Sequence, residues 1–104
     1  MNREVITIPK WSISRKDIST VHDAIMRDTH RAVVDAAECA ETLEMTLRQS
    51  SKRISKFLRE QSEHYIRRIH DLCHKPIKNN PGLEQVRLGM LAYADAAERY
   101  LNEK

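Results

Sequence analysis

The sequence predicts an all-α protein: a small helical bundle, built as a helical hairpin or a long helix plus a C-terminal helix, with a short extended N-terminal arm. Composition supplies the first observation. The 104 residues include 2 Gly and 3 Pro, well below the usage of turn-rich β domains. The second is that no Gly or Pro occurs between Trp11 and Lys75. The third is phase. At 100° per residue, Ile18, Val21, Ile25, Ala32, Val33, Ala36, Ala40, Leu43, Leu47, Ile54, Phe57, Leu58, Tyr65, Ile69 and Leu72 fall within about 60° of one line. A strict heptad would drift by about 20° every seven residues against that line, so ordinary helix packing is expected rather than a long coiled coil.

One domain, residues 1–104, is expected at this length. Residues 1–12 read as an extended arm, because Val5-Ile6-Thr7-Ile8 is β-prone and Pro9 follows it. Ser14 can cap a helix, with Asp17 adding a carboxylate to its first turn. Residues 14–75 form a long helical segment. Unbroken, it would hold about 62 residues and reach about 93 Å, whereas a compact chain of this size has a radius of gyration near 13 Å. A break is therefore expected near 49–51, where Ser50 or Ser51 could cap a new helix, or near 28–30. The alternative is one long helix held by a partner chain. Residues 76–80 read as a loop, Asn80 as a cap and Pro81 as the first turn of a final helix over 81–101. Its stripe is Leu83, Val86, Met90, Tyr93, Ala97, Tyr100 and Leu101.

Hydrophobic residues make up 40% and charged residues 32%, enough for one apolar stripe per helix and little more. Cys39 and Cys73 are too few for a disulfide scaffold or a four-cysteine zinc module, which points to a reducing, cytoplasmic setting and to small core residues. No run approaches the ~20 apolar residues needed to span a bilayer, so no membrane association is expected. No catalytic, cofactor or metal residue is assigned, and the chain does not read as an enzyme.

Charge is unevenly spread. Residues 28–48 hold 2 basic and 5 acidic side chains, and residues 49–78 hold 8 basic and 3 acidic. Antiparallel neighbours could align by pairing these two segments. Alternatively, Lys52, Lys56, Arg59, Arg67, His70 and His74 cluster to within about 40° opposite the apolar stripe, as a solvent-facing line that could meet a partner or track phosphates. Glu60 and Glu63 interrupt that line, and no aromatic is interleaved for base stacking.

Three further patterns carry chemistry. In His70-Asp71-Leu72-Cys73-His74 two imidazoles stand at i and i+4, the spacing of zinc-binding helices, though Asp71 stands where such enzymes place a Glu. Arg3, Val5 and Thr7 alternate along the arm and precede two helical segments divided near Asp28-Thr29. Over about the first 45 residues this resembles the ribbon-helix-helix repressors and antitoxins, which implies a dimer whose paired strands enter the major groove. The Gly-containing turn of that family is missing. Glu41-x-x-Glu44 and Glu60-x-x-Glu63 resemble the magnesium sites of all-helical nucleotide pyrophosphohydrolases of the MazG type, with Glu63 where that family has Asp. Taken together, the sequence specifies a fold and no reaction. It reads as a small helical interaction protein, a regulator, adaptor or inhibitor that binds a protein partner and could homodimerise. A dimeric DNA-binding regulator, using the arm or the basic face, is the alternative.

Overall fold

The structure, a computed structural model, describes residues 8–11, 15–27, 29–49 and 54–103. Among these residues it is an all-α bundle of four helices: α1 (Arg15–Met26), α2 (Arg31–Arg48), α3 (Lys56–Leu72) and α4 (Pro81–Glu103). The longest dimension is 48 Å and the Cα radius of gyration 14.6 Å, which leaves no room for one helix across 14–75. The segment is divided in both places where its polar residues cluster. Among the described residues no helix is long and apolar enough to cross a membrane.

Each described boundary has a local cause. Between α1 and α2 the chain turns at His30, which is left-handed (φ 52°, ψ 44°) and offers no side-chain cap. A β-unbranched, polar residue tolerates that region at modest cost. The expected caps Ser14, Ser50 and Ser51 lie outside the described residues. The cap of α3 is Ser55, whose Oγ accepts from Leu58 N at 3.2 Å. Asn80 Oδ1 accepts from Leu83 N at 3.1 Å and Pro81 occupies the first turn of α4, the arrangement that spares an unsatisfied N–H.

The three longer helices make most of the core; α1 adds Ala24 to it and lies across α2 and α4 without reaching α3. Arg59 of α3 meets Leu101 of α4, His70 meets Asp95, and Cys73 meets Arg87. Contacts that climb one helix while descending the other define an antiparallel pair. Ala36, Ala40, Ala94 and Ala97 are completely buried, and Leu43, Leu47, Ile69, Leu83, Met90 and Leu101 fill the interior beside them. All seven stripe residues of α4 are buried. Cys39 and Cys73 are buried thiols with no disulfide, and burial pushes Cys73 up to about 11.

The single apolar phase expected for 14–75 does not survive its breaks. Ile18, Ile25 and Phe57 lie on the predicted line yet are 55%, 53% and 67% exposed. In α3 the buried residues are Ser62, Ile66 and Ile69, with Cys73 buried at its C-cap, a face turned by roughly 80° from the α2 line. Each interruption resets the wheel, so α3 carries its own phase. The charge asymmetry also resolves differently. Arg31–Asp35, Arg48–Glu44, Lys56–Glu60 and Arg87–Glu84 pair within single helices, and among the described residues no ion pair joins α2 to α3. The reason is that these two helices meet through apolar faces.

Loop 73–80 is fastened to α4 by one buried cation. Arg87 is 8% exposed. Its Nη1 donates to Cys73 O at 2.7 Å, and its Nε and Nη2 meet the Glu84 carboxylate at 2.6 and 2.5 Å. Glu84 Oε1 also accepts from Ile77 N at 3.3 Å. The Arg87 guanidinium and then that N–H hold Glu84 below the ordinary carboxylate range against partial burial, and Glu84 in turn raises Arg87.

Candidate docking groove

Because α1 touches only α2 and α4, the face it shares with α2 stays open. Ile18, Val21 and Ile25 of α1 and Val34, Ala37 and Met45 of α2 line a groove of about 640 Å³. Residues before α1 close one side of it. Tyr93 Oη donates to Pro9 O at 3.0 Å, the Trp11 ring tilts against Tyr93 with centroids 5.7 Å apart, and Trp11 N donates to Glu44 Oε2. Burial, with the nearby Glu44 charge adding to it, raises Tyr93 strongly, so its hydroxyl stays a donor. The neutral hydrogen bond and the ring contact contribute about 1 kcal/mol each. They fix Trp11 as a wall.

The groove wall is acidic as well as apolar. Glu38, Glu41 and Glu44 recur every three residues beside Ala37 and Met45. Glu44 is committed to Trp11 N and to Arg48, 2.9 Å away. Glu38 and Glu41 are exposed, and neither carboxylate has an ion pair among the described residues. An apolar trough flanked by unpaired carboxylates can take an apolar side chain and a cation from the same ligand.

The basic line proposed for α3 is divided by the structure. Lys52 lies outside the described residues. Lys56, Arg67 and His74 are exposed, with Lys56 4.0 Å from Glu60. Arg59 is half-buried and its Nη1 donates to Leu101 O at 2.9 Å, and His70 turns to Asp95. These two therefore correct the expectation of an unbroken solvent-facing line: the reset phase of α3 brings them to the α4 seam.

The other patterns come apart too. Helix α3 ends at Leu72 and Cys73 is its C-cap, so His74 is beyond the helix and its Nδ1 sits 2.5 Å from Asp71 O. The i, i+4 imidazole pair is not on one helical face. Of the MazG-type carboxylates, Glu44 and Glu60 are engaged by Arg48 and Lys56. Among the described residues, the group with three potential metal ligands close together is His70, Asp95 and Glu98. Arg3, Val5 and Thr7, which carry the ribbon-helix-helix resemblance, lie outside the described residues.

The groove residues Trp11, Ile18, Ile25, Met45, Glu38 and Glu41 were absent from the sequence-derived site. The acidic run in α2 was visible. That α1 would leave its apolar residues uncovered beside it was not, because one-dimensional periodicity does not say how many neighbours a helix has. Comparison with protein-family models, curated proteins and solved structures returned no match.

Proposed function

We propose that this chain is a helical protein-interaction module, and that its docking surface is the α1/α2 groove, which takes a basic amphipathic helix from a protein partner. The observation that carries the reading is the coincidence in one groove of exposed Ile18, Ile25 and Met45 with Glu38 and Glu41, which are exposed and have no ion pair among the described residues. Apolar anchors recurring at i, i+3, i+4 and i+7 are how an amphipathic helix fills such a trough. The flanking carboxylates select lysine or arginine on the partner and repel an acidic segment.

The phosphate-tracking reading of α3 has less support. Arg59 is hydrogen-bonded to α4 and His70 is turned toward Asp95 of that helix, and Glu60 and Glu63 stand among the remaining cations.

Binding is tested by fluorescence anisotropy with a labelled synthetic amphipathic helix of about 14 residues, leucine on one face and lysine on the other. A leucine/glutamate counterpart is the control. The lysine helix should bind and the glutamate helix should not. Reversing charge by Glu38→Lys with Glu41→Lys should weaken binding at least about tenfold, since like charges across an interface cost several kcal/mol. Melting should hardly change, because both residues are exposed. Equal binding of the two helices, or undiminished binding by the double variant, contradicts the reading. So does a stable dimer that the same substitutions dissociate, which would make a second copy of the chain the occupant.

A further inference from the structure

We infer that His70 of α3 and Asp95 and Glu98 of α4 form a binding site for a divalent transition-metal ion of the Zn²⁺ class, bridging the two helices. The site is independent of the groove. Two carboxylates at i and i+3 on an exposed helix are ordinary. A ring nitrogen brought to them by a neighbouring helix is not.

The geometry accommodates a shared cation. His70 Nε2 stands 3.4 Å from Asp95 Oδ1, beyond the range of about 2.7–3.2 Å for an N–H···O bond. Two ligand atoms bound to one tetrahedral zinc at roughly 2.0–2.1 Å are themselves separated by about 3.4 Å. One ligand atom from each of the three residues lies within 4.8 Å of the other two, so a single ion can reach all of them with small side-chain rotations. Neither nitrogen of His70 makes a hydrogen bond among the described residues, and the ring is half-buried, which restricts its orientation.

The frame beneath is already fixed. Arg59 Nη1 to Leu101 O and Arg87 Nη1 to Cys73 O tie α3 and its following loop to α4 on either side of His70. The ion would therefore meet ligands held on two helices rather than on a loop. One imidazole nitrogen with two carboxylate oxygens suits Zn²⁺, Co²⁺, Ni²⁺ or Mn²⁺. Mg²⁺ and Ca²⁺ prefer all-oxygen sets. Three protein ligands leave a coordination position for water or for a partner's side chain, so the ion could also join this face to another molecule.

The test is isothermal titration of the metal-free full chain with zinc chloride, and of the same chain with magnesium chloride. Cobalt chloride gives a visible spectrum that reports coordination number. One zinc ion per chain should bind, magnesium should not compete, and the melting temperature should rise with zinc. His70→Gln and Glu98→Gln change partly or fully exposed side chains, so both variants should fold, which their circular dichroism checks. Each should raise the zinc Kd at least about tenfold, because loss of even a supporting partner costs 10–100-fold. His74→Gln should leave binding unchanged. Absence of stoichiometric zinc binding overturns the inference. So does binding that survives in both ligand variants, or that His74→Gln removes.

Discussion

Arg87 is the residue on which the α3–α4 connection turns. A guanidinium that is 8% exposed is tolerable only because its donors find Cys73 O and Glu84. Arg87→Met keeps the length and apolar stem while leaving a carboxylate and a buried carbonyl without their donor. We expect a loss of about 2–4 kcal/mol in urea unfolding, more than an exposed salt bridge would contribute. The same contact sets an acid limb. Glu84 is held below its ordinary range in the folded chain, so its contribution is present above the unfolded glutamate value of about 4.3 and is lost as pH falls through the lower folded value. Glu84→Gln should be less stable at neutral pH, and its stability should fall less steeply in that acidic window. A Glu84→Gln acid limb as steep as that of the unmodified chain would remove this residue from the explanation.

At the scale of elements, two glycines on α4 separate contact from propensity. A Cβ on Gly82 would stand 3.1 Å from Thr20 Cγ2 and 3.2 Å from its Oγ1, so the Thr20 side chain on α1 must give by a few tenths of an ångström. At Gly89 the nearest atom is the Trp11 ring at 4.0 Å, an ordinary contact. Gly89→Ala should stabilise by about 0.5–1 kcal/mol through helix propensity alone. In Gly82→Ala the same gain should be absent or reversed, with α1 loosened. Thermal melts of the two variants make the comparison. Equal shifts would mean that α1 does not rest on Gly82.

The same elements show what periodicity can and cannot carry. Helix α4 was legible, cap to stripe, because Asn80-Pro81 marks its start and its neighbours bury one continuous face. The all-α class was legible from the long stretch without Gly or Pro. The orientation of α3 was not, because its phase was carried across the interruption before Ser55, and so Phe57 was placed inside and Arg59 outside. The zinc-like His70–His74 pair failed for a related reason: the helix ends between its two members. Asp95 and Glu98 come to His70 from 25 and 28 residues along the chain, and only packing could bring them there.

The molecule as a whole is a three-helix core with α1 as a partial cover. Its interior is closed: among the described residues no buried side-chain polar atom lacks a partner. Its outside is unfinished, since Ile18, Ile25 and Met45, three of the six large hydrophobic residues exposed among the described residues, gather along one open groove. The central claim is that this unfinished side is where a partner's helix sits. Amide chemical-shift mapping by NMR, with the lysine-faced synthetic helix added to the labelled chain, tests it most directly. Shifts should concentrate on Trp11, on residues 18–25 of α1 and on residues 34–45 of α2, with α3 nearly silent. Shifts centred on α3, or spread evenly over the acidic surface, would contradict it.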